Sequence, residues 1–415
     1  MTEVSRAQAF IPDPHHSRRV RTALERAGAD ARAFEQTGSL SAPQAPTSTR
    51  PAGSLRVAMG DPQAPLSRVL EILDRHDLLG DDGRVHPDAV LVSMGDHFDW
   101  GPPQHNAYAA ASGFGLLAWL AGHPPEQVAI LVGNHDLARV GELAPFDDAT
   151  FEAARAEARA LRATPMHTPG RAERRHAFLE RHPTLPSVGV AVRDLAAFET
   201  PQRRLVAAML RAGRFRAAIA AAPDLLLIHA GLTPDDLDAI GYPEGEARAD
   251  AVGLERALGE RFDAAIAAWD GVTPFSLAPL YRPGSHEGGE ARGVFIQRPA
   301  DPAVGELPLF EGPPRRRFDP RILTTGLTQA TGHIRDNKCR ELMPVWSEDE
   351  PAHDGPLRHL WTDGRRVRYR RGLPEPGDDR GAFLLFTDGG MNHVPTADYE
   401  LLDLGTRRAL PRDGA

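Results

Sequence analysis

The chain has 415 residues, of which 41% are hydrophobic and 25% charged, a composition typical of a globular protein with one large domain or two ordinary ones. The formal net charge of −9 argues against an extended nucleic-acid surface, which needs a basic face. The N-terminal segment lacks the apolar core of a signal peptide, no apolar run is long enough for a membrane helix, and the single cysteine, Cys339, excludes an intrachain disulfide. We therefore expect a cytoplasmic protein that acts away from membranes.

Residues 1–54 are predicted to form a poorly ordered N-terminal arm. The stretch Ser17–Phe34 is rich in Arg, Ala and Glu and favours a helix, but it runs into SLSAPQAPTSTRPAGS, whose Pro, Ser and Thr are typical of a linker. The folded domain is therefore predicted to cover residues 55–410.

From Leu55 onward the same order of residues recurs: a short apolar run, a Gly with polar residues, and then a helical pattern. Four such runs are LRVAM, AVLVSM, QVAILV and DLLLI, followed by GDPQAP, GDHFDWG, GNHD and HAG respectively. Apolar runs without alternation predict strands buried on both faces, and helical patterns such as Pro65–Leu79 and Asn106–Ala121 lie between them. Later runs, RRVRYRR, AFLLFTDGG and YELLDL, predict further strands of the same core. This alternation predicts an α/β fold class.

Two regions interrupt this pattern. Residues 145–222 are rich in Ala, Arg and Glu and carry no strand signals, which predicts a helical insert. The insert either caps the site or packs as a surface elaboration. Residues 274–320 are crowded with Pro, Gly and Arg and are predicted to form long loops. Within them, the run Arg315–Arg317 is either a solvated loop or a patch that meets an anionic substrate.

Carboxylate, amide and imidazole groups follow the apolar runs. In open α/β sheets, ligands collect beyond the carboxyl ends of the strands, so these groups are expected to meet there. In chain order they are Asp61, Gln63, Asp96, Asp99, Asn134, His135, His229 and His333. Alone, each fits turn or helix-cap chemistry, but together they form an oxygen and nitrogen donor set that suits Mn, Fe, Zn or Mg. A bridging carboxylate flanked by donors on both sides is what a two-metal centre requires.

The ordered motifs GD-x-Q, GD-x-x-D-x-G, GNHD, HAG and GH, each behind an apolar run, resemble those of the calcineurin-like metallophosphoesterases. The likeness is nearest to the branch of the phosphoprotein phosphatases and bacterial diadenosine-tetraphosphate hydrolases, and it covers roughly residues 55 to 400. It implies a sandwich of two packed mixed β-sheets flanked by helices, here with a helical insertion. It also implies a phosphoester or phosphoanhydride hydrolase in which a hydroxide that bridges two divalent metal ions attacks phosphorus. Manganese is the first expectation for these ions, with Fe, Zn, Mg or Ni as alternatives.

The resemblance assigns metal ligands by motif position. Asp61 corresponds to a ligand of the first metal, and Asp96 corresponds to the carboxylate that bridges both metals. The second metal would be completed by Asn134, His229 and His333. Gln63 stands where the family usually has His; its amide oxygen can bind a cation but is a weaker donor for transition metals.

The resemblance also assigns residues that act on the substrate. His135 corresponds to the family's general acid, which protonates the leaving oxygen, and Asp99 to the carboxylate that holds this imidazole and keeps it cationic. Arg292, in EARGVF, is similar to the family's phosphate-binding Arg. Trp100 stands where the branch has another phosphate-binding Arg, and it either stacks on the substrate or packs against the insert. Arg335 takes the place of a second His that many members of the superfamily have and the phosphoprotein branch lacks.

The sequence leaves more than one function open. The leading one is hydrolysis of a phosphorylated small molecule, a nucleotide or a phosphoprotein. A catalytically weakened binding module is the alternative, favoured by Gln63, Trp100 and the insert but opposed by the otherwise complete set of site residues. A nuclease fits the net charge less well. His97, beside the bridging carboxylate, is predicted to be a packing or solvent-facing residue rather than a ligand, and the oligomeric state stays open.

Overall fold

The computed structural model describes residues 5–40, 55–305, 314–348, 350–374 and 381–411, and within these ranges the chain has an α/β architecture. The helices are α1 (Arg18–Thr37), α2 (Leu66–Arg75), α3 (Asn106–Ala121), α4 (Asn134–Ala138), α5 (Asp148–Ala163), α6 (Arg171–Arg181), α7 (Thr200–Arg211), α8 (Pro234–Ala239), α9 (Ala251–Ala268) and α10 (Asp336–Leu342). Within the described ranges, none of the helices combines the length and the apolar character needed to cross a bilayer.

The strands follow the predicted apolar runs closely in the first half of the chain. They are β1 (Leu55–Met59), β2 (Ala89–Ser93), β3 (Val128–Leu131), β4 (Phe215–Arg216), β5 (Ala218–Ala222), β6 (Leu225–Ile228), β7 (Tyr281–Pro283), β8 (Ala291–Gly293), β9 (Arg298–Pro299), β10 (Arg317–Phe318), β11 (Thr328–Thr331), β12 (Arg358–Thr362), β13 (Val367–Arg371), β14 (Ala382–Phe386), β15 (Leu402–Asp403) and β16 (Arg408–Ala409). The predicted α/β class is confirmed.

Most of these strands build two mixed sheets of six strands each, counted over the described residues. The first sheet has the order β16–β15–β1–β2–β3–β4, and β1 to β4 are parallel in it. The second sheet has the order β13–β12–β14–β11–β6–β5, and β14, β11 and β6 are parallel in it. The outer neighbours of each parallel group pair antiparallel. Two short pairs, β7–β8 and β9–β10, lie outside the sheets.

The two sheets face each other across an apolar layer. Leu225 and Leu227 of β6 belong to this layer, whereas Leu226 and Ile228 belong to the cluster that packs under the helices. Side chains alternate between the faces of a strand, so a strand covered on both sides is apolar at every position. This double cover is the reason that the parallel strands β3, β6 and β14 are unbroken apolar runs.

The carboxyl ends of the parallel strands of both sheets meet at one edge. Nδ1–H of His229, after β6, donates to the carbonyl of Met94, after β2, at 2.8 Å. The backbone N–H of His333, after β11, donates to Oδ2 of Asp61, after β1, also at 2.8 Å. These hydrogen bonds join the sheets where the predicted site residues stand, as the rule for open α/β sheets requires.

Helix α1 is packed into the core of the first sheet. Oγ of Ser17 caps it by accepting a hydrogen bond from the backbone N–H of Val20 at 3.1 Å. Its buried face includes Ala23, Leu24 and Ala27, which lie against α2 and α3. Helix α3 is apolar around its whole circumference, so it needs cover on the side that the sheet leaves open. Helix α1 supplies that cover.

The expectation of a poorly ordered arm over residues 1–54 is therefore wrong for residues 5–40. Pro, Ser and Thr after α1 gave the segment the composition of a linker, but the helix before them has an apolar face and a partner for it. Residues 1–4 and 41–54 lie outside the described residues.

The predicted insert at 145–222 contains α5, α6, a π-helical turn (Val190–Asp194) and α7. Its first part has an apolar cluster of its own, which includes Phe151, Phe178 and Leu185. The expectation of a region without strands is wrong at its end, because β4 and β5 form the edges of the two sheets. The sequence AIAAA has little strand propensity, and pairing with β6 together with cover by α9 stabilises it.

The predicted loop region at 274–320 is mostly irregular but contains the short strands β7, β8, β9 and β10. Residues 306–313 within it lie outside the described residues. The later predicted strands correspond to β13, β14 and β15, whereas β12 carries no run that the sequence singled out.

Substitution Leu24→Ala is expected to lower the free energy of unfolding by about 2–5 kcal/mol, because it leaves a cavity where α1 packs on the core. Glu25→Ala, on the exposed face of the same helix, is the control and should change this free energy by less than about 0.5 kcal/mol. Urea denaturation measures both. Equal stability of the two variants would show that α1 contributes nothing to the core.

Candidate metal centre

Three residues at this edge have backbone conformations that most side chains disfavour. The φ angles are +55° at Asp96, +66° at Asp99 and +64° at His333, and left-handed conformations outside glycine cost of order 1 kcal/mol or more each. The carboxylate of Asp136 holds the loop after β2, because it accepts hydrogen bonds from the backbone N–H groups of Asp96 (3.1 Å) and Gly133 (2.9 Å). Backbone strain held in this way is concentrated at functional sites in proteins.

Two glycines of the motifs allow the carboxylates to lie against neighbouring loops. A Cβ atom on Gly133 would lie 2.1 Å from Oδ1 of Asp96, and a Cβ atom on Gly332 would lie 1.9 Å from Oδ1 of Asp61. Any side chain at either position would displace a carboxylate. The glycines of GNHD and GH are thus part of the geometry of the site.

A buried group of one carboxylate and two imidazoles can hold a metal ion. One donor atom from each of Asp96, His229 and His333 lies within 4.8 Å of the others. Nε2 of His229 is 3.4 Å from Oδ2 of Asp96 and 3.3 Å from Oδ1 of Asn134. The hydrogen bond from Nδ1 of His229 to the carbonyl of Met94 fixes the ring so that Nε2 faces these oxygens.

In His333 the ring nitrogen that is left to bind a metal is Nδ1, whereas in His229 it is Nε2. Nε2 of His333 lies 2.9 Å from the carbonyl of Ile296, which can only accept, so this nitrogen carries the proton and Nδ1 keeps its lone pair. Nε of Arg298 lies 3.3 Å from the same Nε2, and because both nitrogens then carry protons this longer contact is not a hydrogen bond. Burial, with the charges of Arg298 and His229, lowers the pKa of His333 well below its usual range. A neutral imidazole is the form that binds metals.

The buried charges at the candidate centre favour a bound cation. Burial, followed by the charge of Asp388, raises the pKa of Asp61 well above its usual range, and Oδ1 of Asp61 is buried without a hydrogen-bond partner among the described residues. Burial would lower the pKa of His229, but the Asp96 carboxylate outweighs burial and raises it to about 10. A divalent cation would replace the proton that the raised pKa places on His229, and it would give the unpaired Oδ1 of Asp61 a partner. The donor set therefore fits a metal ion.

Asp388 is a site residue that the motif reading missed. It follows β14 in the sequence TDGG, is buried, and lines the same cavity as Asp61 and Gln63. Its Oδ1 accepts a hydrogen bond from the backbone N–H of Gly390 at 3.0 Å. The signal was present, because Asp388 stands directly after a buried parallel strand, as Asp61 and the other candidates do.

His135 lies beside the cluster with a carboxylate behind it. Its Nδ1 is 2.9 Å from Oδ2 of Asp99, and its backbone N–H donates to Oδ1 of Asp96 at 2.8 Å. Burial would lower the pKa of His135, but the charges of Asp96 and Asp99 outweigh burial and raise it. The imidazolium form is therefore stabilised, and its Nε2, 3.9 Å from Oδ2 of Asp96, lies at the centre.

Arg139, a second residue that the sequence did not reveal, fixes Asp99. Its Nη2 donates to Oδ2 of Asp99 at 2.6 Å, and its Nε donates to Oε1 of Gln202 at 2.9 Å. The backbone N–H of Ala197, in the insert, donates to Oδ1 of Asp99 at 3.1 Å. Arg139 stands four residues after His135, so the helical spacing was a usable signal for it.

The other predicted residues have mixed outcomes. Gln63 lies in the cavity with Asp61, and its Nε2 donates to the carbonyl of Phe98 at 2.8 Å, so Oε1 is the atom left for a cation. The structure does not bring Arg292 to the group: it pairs with Arg282 across β7 and β8 and lines neither of the cavities described below.

Two residues that the sequence left ambiguous are packed. The ring of Trp100 meets Tyr108 edge-on at 5.3 Å and contacts the apolar cluster of α3 and the insert. It also lines the cavity that contains Asp61 and Gln63, so packing does not exclude contact with a substrate. His97 is fully buried, with Nδ1 at 3.0 Å from Oδ1 of Asp136 and Nε2 at 2.9 Å from Oγ of Ser93. His97 is thus a packing residue.

Two cavities meet at His135. The metal-side cavity, about 750 Å³, is lined by Asp61, Gln63, Asp99, Arg335 and Asp388 among others. The insert cavity, about 650 Å³, is lined by Asn134, Glu142, Tyr281, Arg315 and residues of the insert. Both are also lined by His135, Arg162, Arg193 and Asp194. Residues of the insert thus face the candidate centre.

Comparison with known proteins adds no family. No protein-family model matches the chain, and no curated protein matches it significantly.

Glu142, in the insert cavity, has a strongly perturbed carboxyl group. Its Oε1 accepts a hydrogen bond from the hydroxyl of Tyr281 at 2.9 Å, whereas Oε2 is buried without a hydrogen-bond partner among the described residues. Burial raises the pKa of Glu142 to about 7. The folded protein therefore holds a proton on Glu142 that the unfolded chain releases between about pH 4.5 and pH 7.

Glu142→Gln is expected to flatten the dependence of stability on pH. The raised pKa makes the free energy of unfolding of the wild type fall by about 3 kcal/mol as the pH rises from 4 to 8, relative to the variant. Chemical denaturation of both proteins across this range measures the difference. Parallel curves would show that Glu142 is not perturbed.

Proposed function

We propose that the chain is a metal-dependent phosphohydrolase with the calcineurin-like metallophosphoesterase fold. The observation that carries the proposal is the buried group of Asp96, His229 and His333, with His135 bonded through its backbone to the same Asp96. Turn or cap chemistry alone does not require donors from both sheets to converge in one buried place. The two mixed sheets and their helices are compatible with this fold.

The metal ligands would come from both sheets. Asp61, Gln63 and Asp96 would hold one divalent cation, and Asp388 is a further carboxylate at this position. The second cation would be held by Asp96 together with Asn134, His229 and His333. Two such ions, Mn²⁺ first and Fe, Zn, Mg or Ni as alternatives, would supply a water of lowered pKa and neutralise the charge of a phosphoryl group.

The residues of the chain would move the proton that the leaving group needs. His135 holds this proton at Nε2, because Asp99 occupies Nδ1 and stabilises the imidazolium. Arg139, directly after α4, and Ala197, in the insert, hold Asp99 in place. A protein that only binds phosphate has no need of this oriented acid, which is why we favour an enzyme over a binding module.

His135→Ala is expected to lower turnover of an aryl phosphate by about 10²–10⁴-fold with nearly unchanged metal content, because it removes the proton donor alone. Asp96→Asn should lose both turnover and metal, because it removes the shared ligand. His15→Ala, exposed and distant in sequence from the motifs, is the control and should behave as wild type. The protein is stripped with a chelator, each metal is added back singly, and rate and bound metal are measured.

Normal turnover in His135→Ala or Asp96→Asn would contradict the assignment. Bound metal without turnover in the wild type, for any phosphoester tested, would favour the binding module.

A further inference from the structure

The insert cavity is lined by five arginines, although the chain as a whole has a net negative charge. Its described lining includes Arg162, Arg171, Arg175, Arg193 and Arg315. The first four come from the insert, at the end of α5, in α6 and in the π-helical turn, and the last comes from the loop before β10. Planar guanidinium groups bind phosphate and carboxylate oxygens with two parallel hydrogen bonds, so this lining suits an anion.

Acidic residues of the cavity cancel only part of this charge. Asp194 accepts from Nε of Arg193 at 2.6 Å and lies 3.4 Å from Nη2 of Arg315. Glu142 has a pKa of about 7, so its carboxyl is largely neutral in mildly acidic solution and half neutral near pH 7. Among the residues that line the cavity, arginines outnumber these two acidic residues by five to two. The lining therefore offers more guanidinium groups than carboxyl groups to a ligand.

The lining of the cavity also contains a buried polar group that a polar ligand could contact. Glu142 is 6% exposed; its Oε1 accepts from the Tyr281 hydroxyl, and its Oε2 has no hydrogen-bond partner in the described part of the chain. A buried oxygen left without a partner is costly unless a ligand or water satisfies it. A volume of about 650 Å³ is in the range of small-molecule sites rather than of protein interfaces.

The insert cavity lies next to the proposed proton donor, and this position relates the cavity to the leaving group of the substrate. Asn134 and His135 line this cavity, so the leaving group of a substrate whose leaving oxygen accepts the proton of His135 can extend into it. Resting on the proposed phosphohydrolase function, we propose that the insert cavity binds the leaving group of a small phosphoester that carries a second anionic group, a phosphate or a carboxylate. A phosphoprotein is thereby disfavoured as the substrate.

The test compares three aryl esters that differ only in the second anion: phenyl phosphate, para-carboxyphenyl phosphate and para-(phosphonomethyl)phenyl phosphate. We expect kcat/KM of the wild type to be at least about 10-fold higher for one or both anionic esters than for phenyl phosphate, the scale of one charged hydrogen bond. The anionic ester with the higher kcat/KM shows whether the cavity prefers a carboxylate or a phosphate as the second group.

Arg175→Gln is expected to lower the ratio of kcat/KM for the anionic ester to kcat/KM for phenyl phosphate about 10-fold, because it removes one guanidinium from the cavity. Arg174→Gln is the matched control: it is the next residue of α6, is exposed, and does not line the cavity, so the ratio should stay at the wild-type value. Equal kcat/KM for the three esters, or equal ratios in Arg175→Gln and Arg174→Gln, would overturn the inference while leaving the proposed function intact.

Calorimetric binding of para-hydroxybenzylphosphonate, the leaving group alone, separates the two proposals. If no ester is cleaved with any metal, the proposed function fails. Binding by the wild type that Arg175→Gln weakens about 10-fold, and Arg174→Gln leaves unchanged, would still support the cavity as an anion site. Absence of binding by the wild type would overturn the inference.

Discussion

Burial of the Asp96 carboxylate between two sheets is the constraint on which the rest of the site depends. Its charge lies among His229, His333 and His135, and it holds the pKa of His229 near 10 against the effect of burial. A buried charge of this kind is tolerated only with compensation. The left-handed backbone at Asp96 and the bare Cα of Gly133, where a Cβ would lie 2.1 Å from the carboxylate, are local costs of placing that charge there.

The elements that the sequence predicts well are those whose signal is local. The apolar residues VAM of LRVAM and LLLI of DLLLI are consecutive because both faces of the strand are covered, and these runs became β1 and β6. The packing of α1 into the core and the strand β5 were missed because both depend on partners: α1 covers the open side of α3, and β5 pairs with β6 under α9. The helices α3 and α9 lie far along the chain from the elements that they pack against, so a local sequence window does not contain them.

The site residues fall into the same two groups, those with a local sequence signal and those without one. Asp61, Asp96 and His229 stand directly after predicted strands, so their convergence could be predicted from the order of motifs. Arg292 was chosen by motif likeness within an irregular region, and the structure places it outside the cavities. The arginines of the insert could not be assigned to a site from sequence, because an Arg-rich helix most often faces solvent and only the packing of the insert turns them toward His135.

The central claim is that the edge shared by the two sheets holds two divalent cations. A crystal structure of the protein with Mn²⁺, with anomalous differences measured at the manganese edge, tests it most directly. The account predicts two peaks about 3.5–4 Å apart on either side of Asp96, one toward Asp61 and Gln63 and the other toward His229 and His333. A folded protein with no peak at Asp96 would contradict the metal centre, and a single peak would contradict the two-metal mechanism.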